Sequence, residues 1–279
     1  MATLLAQLAE MGIRPRKGLG QNFLVDPAHR ARIVDAAELA AGDAVLEIGP
    51  GPGVLTDLLA ERARLVLAVE LDDRLVAFLQ RRYANLPQVR VLHGNILDLD
   101  IGARMSELAG PGVGYKVVAN LPYYITGAAI PHILEAQPPP DLTVLTLQRE
   151  VAERIVARPP DMSLLALGVQ FYAAPRIADR IPAGAFYPVP KVDSALVCLQ
   201  RHPGPALPGV PAGLFFRVAR AGFAQRRKQL RNSLAAGLAV PPAQAATWLV
   251  AAGVEPQRRA ETLTLPEWGR LALAVAAAR

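Results

Sequence analysis

The strongest constraint on how this chain can fold is an alternation. Five short apolar runs, at 44–48, 65–70, 89–93, 115–119 and 142–147, are separated by stretches of helical character at 54–62, 73–84, 128–135 and 150–157. Strands that are apolar almost throughout, and not on alternate residues, are covered on both faces, and strands joined through helices run parallel. The chain is therefore predicted to be α/β, built on a mostly parallel sheet. Two further runs, 171–181 and 194–200, extend it to seven strands as an antiparallel edge pair. Ahead of the first strand, Asp26-Pro27 is a helix start, a capping carboxylate followed by proline at the first helical position, with a helix running on toward a stop at Gly42.

The stretch 201–213, RHPGPALPGVPAG, holds four prolines and three glycines, so no helix or strand can run through it. It is read as a linker between a domain at 1–200 and a small all-α domain at 214–279, with helices at 214–224, 225–236, 242–252 and 265–278. A chain of 279 residues with 52% hydrophobic and 19% charged residues can pack both units. Dividing the net charge of +6 at this boundary is informative. Residues 214–279 carry ten basic and three acidic groups, net +7, which leaves twenty basic against twenty-one acidic in 1–213. The excess of positive charge in the helical piece points to a polyanionic partner, nucleic acid in particular. Within it, 217–231 has six basic residues and no acid. On one continuous helix, 217, 220, 227, 228 and 231 would share an arc of about 100°.

No segment reads as membrane-spanning and the start does not resemble a signal peptide, so the expected location is the cytoplasm. Cys198 is the one cysteine, and His29, His93, His132 and His202 lack ligand spacing, so no disulfide and no metal site is expected.

Residues 45–56, VLEIGPGPGVLT, give a buried strand, a glycine-rich loop and a helix start. Gly49 and Gly51 let backbone approach a ligand where open parallel sheets bind nucleotides. Glu70 ends the second strand twenty-one residues after Gly49, where a carboxylate can accept from both hydroxyls of a ribose. The third glycine comes one residue early for the dinucleotide fingerprint, and no P-loop lysine follows. An adenosine ligand without phosphates, S-adenosylmethionine, remains. The competing reading is a tight turn and a helix-capping carboxylate. Asn95, after the third strand, can bond an adenine edge or serve as a turn residue.

The run Asn120-Leu121-Pro122-Tyr123-Tyr124 follows the fourth strand. The lone pair of an exocyclic adenine amine is delocalised into the ring. The Asn120 side-chain carbonyl and the Leu121 backbone carbonyl are two acceptors able to hold both amine hydrogens, Pro122 adds no competing N–H, and Tyr123 offers a ring for the base. A strand-end turn accounts for the same residues without function.

Together with KGLGQNFLVD (17–26), LQREVAERI (147–155), FYPVPKVDSALV (186–197) and FAQRRKQLRNSL (223–234), these motifs resemble the small-subunit (16S) ribosomal RNA adenine N6,N6-dimethyltransferases, the kasugamycin-resistance family, over most of 15–235. The resemblance implies a Rossmann-like class I methyltransferase at 1–200, S-adenosylmethionine as methyl donor and S-adenosylhomocysteine as product. It also implies N6,N6-dimethyladenosine at two adjacent adenosines near the 3′ end of the small-subunit RNA, a role in subunit biogenesis, and a monomer without metal. It carries the cofactor over to Asn22, Leu24, Gly49, Gly51, Glu70, Leu71, Asn95 and Asn120, and catalysis to Asn120, Leu121, Pro122, Tyr123 and Phe186, with Phe186 facing Tyr123 across the base. Asn95 departs from the aspartate that many members carry. RNA contacts are expected from Arg16 and Lys17 and from Arg220, Arg226, Arg227, Lys228 and Arg231. Three alternatives compete: a large-subunit adenine methyltransferase of the macrolide-resistance type, a non-catalytic RNA-binding assembly factor on the same fold, and a nicotinamide-dependent oxidoreductase.

Overall fold

The structure is a computed structural model that describes residues 12–110, 112–225 and 227–278, and the backbone alone of Lys17. The five central strands form at Ala44–Ile48 (β1), Leu65–Glu70 (β2), Val89–His93 (β3), Tyr115–Asn120 (β4) and Leu142–Gln148 (β5), and Ala173–Ile181 (β6) and Ser194–Arg201 (β7) complete the sheet. Its order is β3-β2-β1-β4-β5-β7-β6. The pairs β1–β2, β2–β3, β1–β4 and β4–β5 are parallel, and β7 runs antiparallel to β5. Every residue of β1 and β2 is buried, Glu47 and Glu70 included, which fits strands covered on both faces. After β1 the chain winds outward to β2 and β3, then crosses back to β4. The order thus reverses between β1 and β4, and a crevice opens beyond their carboxyl ends.

Contacts divide the chain into two compact units, Met1–Ala152 with Pro175–Arg201, and Glu153–Ala174 with His202–Arg279. In the first unit the helices are Pro27–Ala36 (α1), Val54–Ala60 (α2), Asp73–Arg82 (α3), Ile101–Ala109 (α4) and Thr126–Leu134 (α5), and Arg149–Val156 (α6) begins there. The Asp26 side chain accepts from the backbone N–H of Ala28 and His29, the cap expected of Asp26-Pro27. That helix stops at Ala36, short of Gly42, because Glu38 turns to φ 50°. Sequence reading missed α4. Gly102 inside it lowers helix propensity, yet a Cβ there would lie 1.9 Å from the Gln137 carbonyl oxygen, so close packing requires the glycine.

The second unit packs Leu164–Tyr172 (α7), Ala212–Phe223 (α8), Leu230–Leu238 (α9), Pro242–Ala251 (α10) and Leu265–Ala277 (α11) around Leu167, Phe215, Leu234 and Trp268. The run expected as a strand from 171 starts at Ala173, because Phe171 and Tyr172 finish α7, where the Phe171 ring stacks 4.6 Å from that of Phe215. An apolar run such as LLALGVQFY has no periodicity to separate buried helix from buried strand. The helix expected from 225 begins at Leu230. Its opening N–H groups, of Leu230 and Arg231, are taken by the carbonyls of Arg258 and Pro256. The basic segment 217–231 is thus broken by non-helical residues at 224–225 and 227–229, and the single continuous face expected of it does not form. Among the described residues no single helix is long and apolar enough to cross a membrane.

Candidate active site

Beyond the ends of β1, β2 and β4 lies a cleft enclosing about 970 Å³ with its open mouth. Its floor is the loop after β1. Gly49, Gly51 and Gly53 have φ of 67°, 58° and 86°, in the left-handed region. At Gly51 a Cβ would meet the Phe23 ring at 3.1 Å, and at Gly53 it would lie 2.3 Å from the Tyr83 hydroxyl. The loop thus lies flat against the Phe23 ring and the Tyr83 hydroxyl, with no room for side chains at Gly51 and Gly53.

Glu70, at the end of β2, is 6% exposed. Its carboxylate accepts from the backbone N–H of Gly51 at 3.0 Å, Leu71 at 2.8 Å and Asp72 at 2.9 Å. Burial raises its pKa, and the three backbone bonds oppose the rise. With about four lone-pair positions on a carboxylate, acceptor capacity remains after three bonds. Leu71 borders the same cleft. Asn95 lines it too, but is partly engaged: its Oδ1 caps Leu97 N–H at 3.2 Å and its Nδ2 donates to Asp98 at 3.0 Å.

Asn120 ends β4 and is half-buried on the cleft wall, with Leu121, Pro122 and Tyr123 beside it. Its Nδ2 donates to the Asn22 carbonyl at 3.0 Å. The amide is thereby oriented, and Oδ1 is left as the acceptor. Tyr123 is half-buried and its hydroxyl meets Ser194 Oγ at 2.7 Å; burial raises the phenol pKa and the Ser194 bond opposes it. Asn22 and Leu24 belong to an arm that forms one wall of the cleft from Leu19 to Leu24. The arm is pinned by Gln21, whose Nε2 donates to Asp72 at 2.9 Å, and whose Oε1 accepts from Arg16 N–H at 2.7 Å. Burial works to raise the Asp72 pKa, but bonds from Arg74 and Gln21 outweigh it and hold the carboxyl well below its usual range.

The structure therefore brings Asn22, Leu24, Gly49, Gly51, Glu70, Leu71, Asn95, Asn120, Leu121, Pro122 and Tyr123 to one cleft. Phe186 is not on its wall. Phe186 and Tyr187 pair with Leu24 and Phe23 as a two-residue antiparallel ribbon, and alternation turns Phe186 inward, 2% exposed, while Tyr187 is 45% exposed. Phe186 belongs to the core cluster that holds Leu24, Ile181, Ala185 and Leu196. Gln21, Asp72 and Ser194 were not singled out by sequence; Gln21 and Ser194 lie inside motifs, QNF and KVDS, that could have flagged them.

Of the residues expected to bind RNA, Arg16 is engaged, with Asp73 at 3.2 Å and Asp72 at 3.4 Å. Arg227 and Lys228 are exposed in the non-helical stretch, Arg220 is exposed with its guanidinium 5.9 Å from the Phe216 ring, and Arg231 is half-buried and bonded to Gln229. Arg226 and the side chain of Lys17 lie outside the described residues.

A parallel sheet of this order, with a glycine loop and an acidic residue ending the second strand, defines a Rossmann-like methyltransferase. The chain belongs to the ribosomal RNA adenine dimethylase family, whose profile matches residues 12–276. It is 46% identical over 275 residues to the ribosomal RNA small subunit methyltransferase A of Dehalococcoides mccartyi (strain ATCC BAA-2266 / KCTC 15142 / 195), covering 97% of this chain and 93% of that one. It also resembles the 23S rRNA methyltransferase ErmE, at TM-score 0.71 and 29% identity over 91% of this chain and 100% of that one. A dimethyladenosine transferase from Plasmodium falciparum shares the fold at TM-score 0.75 and 24% identity, over 91% and 98%. The protein is an enzyme that methylates adenine in ribosomal RNA.

Proposed function

We propose that the enzyme transfers methyl groups from S-adenosylmethionine to N6 of two adjacent adenosines near the 3′ end of small-subunit ribosomal RNA, and so takes part in building that subunit. The observation that carries the cofactor reading is the composition of the cleft. Among the described residues its lining holds no lysine, arginine or histidine, and Glu70 is the one carboxylate. Such a site suits a nucleoside bearing a positive sulfur and offers no counter-charge to a polyphosphate, which disfavours a dinucleotide. The flat glycine loop and the spare acceptor capacity of Glu70 fit the rest of that molecule.

S-adenosylmethionine supplies an electrophilic methyl group on a positively charged sulfur. The protein's part is to hold the amine. A target adenosine leaves its stack, as base-modifying enzymes require, and rests on the Tyr123 ring. Asn120 Oδ1 and the Leu121 carbonyl accept its two amine hydrogens, which localises the lone pair and stabilises the ammonium as it forms. Among the described residues, tyrosines are the ionisable groups on the cleft wall besides Glu70, and burial raises the Tyr123 phenol pKa and so keeps it protonated. Positioning therefore carries the reaction, and the product ammonium loses its proton to water. Arg220, Arg227 and Lys228 are the exposed cations we assign to RNA phosphates, within a helical RNA-binding domain at 214–279.

The small-subunit reading over the large-subunit one is supported by 46% identity to a small-subunit enzyme against 29% to ErmE. The test is mass spectrometry of RNA from unmethylated small subunits incubated with S-adenosylmethionine and either the wild type or Asn120→Ala. Two dimethyladenosines are expected with the wild type and none with Asn120→Ala, while cofactor binding is only partly weakened. Near-wild-type turnover in Asn120→Ala would sink the assignment, and methylation of large-subunit RNA alone would favour the other substrate.

A further inference from the structure

We infer that Ser194 is a positioning residue for methyl transfer: its hydroxyl fixes the plane of the Tyr123 ring on which the target base rests. This rests on the reading of Tyr123 given above. The two hydroxyls meet at 2.7 Å across 71 positions of sequence, Ser194 is fully buried, and Tyr123 stands half-buried on the cleft wall. Ser194 is the partner that the described residues give to the Tyr123 hydroxyl.

The anchor is stiff. Ser194 is the first residue of β7 and lies in register with Gln148 of β5. Its neighbour Asp193 is held at both ends, the carbonyl accepting from Arg149 N–H at 3.0 Å and the side chain from Ala183 N–H at 3.0 Å. Tyr123, by contrast, sits in a single 3-10 turn, Tyr123–Ile125, and its ring hangs on two rotatable bonds. A ring free about those bonds samples several planes, and a stack uses one. Without Ser194 the phenol would be left part-buried and unpaired, and the ring would gain by turning toward water. This also gives the segment 186–197 a chemical reason to accompany the segment 120–124.

The test uses the full chain with unmethylated small subunits and S-adenosylmethionine. Ser194→Ala is expected to lower kcat about threefold to tenfold, the range of one hydrogen bond, with cofactor Kd and melting temperature little changed. Tyr123→Phe removes the same bond from the other side and is expected to lose as much. The double variant Ser194→Ala/Tyr123→Phe is expected to fall no further than the worse single one. Wild-type kcat in Ser194→Ala, losses that multiply in the double variant, or a loss of cofactor affinity equal to the loss of kcat would each overturn the inference. If Ser194→Ala does not fold, Tyr123→Phe decides, and wild-type turnover there overturns it. Tyr123→Ala separates the two readings: full activity refutes the base platform itself, whereas loss there with none in Ser194→Ala refutes only the positioning role.

Discussion

Glu47 gives the sharpest test of the physical account of this fold. It lies within β1, one residue before the strand meets the glycine-rich loop, is 1% exposed, and accepts a hydrogen bond from Thr56 Oγ1 at 2.6 Å. Burial drives its pKa from 4.5 up to about 8; the Thr56 bond opposes the rise, and Asp57 and Glu70 add to it. A pKa that is higher in the folded state contributes stability that is fully present below pH 4.5 and is lost as pH rises through about 8. At ~1.36 kcal/mol per pKa unit, the neutral carboxyl costs the fold about 1 kcal/mol at pH 5 and about 4 kcal/mol at pH 8, relative to a side chain that does not ionise. Glu47→Gln is that side chain, since its carbonyl keeps the Thr56 bond. The assay is urea unfolding of wild type and variant at half-unit steps from pH 5 to pH 8.5. The difference, variant minus wild type, is expected to climb by roughly 4 kcal/mol over that range, while titrating groups that do not interact with Glu47 cancel. A fixed cost of burying the amide moves the whole difference curve and leaves its slope. Parallel stability curves would refute the reasoning, because they would mean that Glu47 is ionised and solvated in the folded protein.

Two further outcomes follow from the site and the basic segment. Gly53→Ala places a Cβ 2.3 Å from the Tyr83 hydroxyl at φ 86° and is expected to cost ~1–3 kcal/mol, read by chemical unfolding; wild-type stability would show that the loop has slack. Replacing exposed Arg227 and Lys228 by Gln should weaken binding to unmethylated small subunits and lower the slope of log affinity against log salt by about one per charge, with cofactor Kd unmoved; an unchanged slope would remove them from the RNA interface.

Much of the site was legible because its signals are local. Gly49, Gly51, Glu70, Asn95 and Asn120 each sit at the carboxyl end of a strand whose limits hydrophobic runs mark well, and a parallel sheet gathers those ends at one edge. The burial of Phe186 was not legible, because it depends on a two-residue pairing with the arm, which has no periodic signature. The start of α9 was misplaced for a similar reason, since carbonyls of Pro256 and Arg258 take its first N–H groups.

The sequence by itself determined the strand ends, the glycine loop, the acceptor pair at Asn120 and Leu121, and the lopsided charge, all properties of residues and their near neighbours. Tertiary structure alone decided that Asn22 orients the Asn120 amide, that Gln21 is locked to Asp72, that Tyr123 meets Ser194, and that burial raises the Glu47 pKa. Those depend on burial and on contacts between segments 51 to 98 positions apart, and on desolvation, which no local pattern of residue types records.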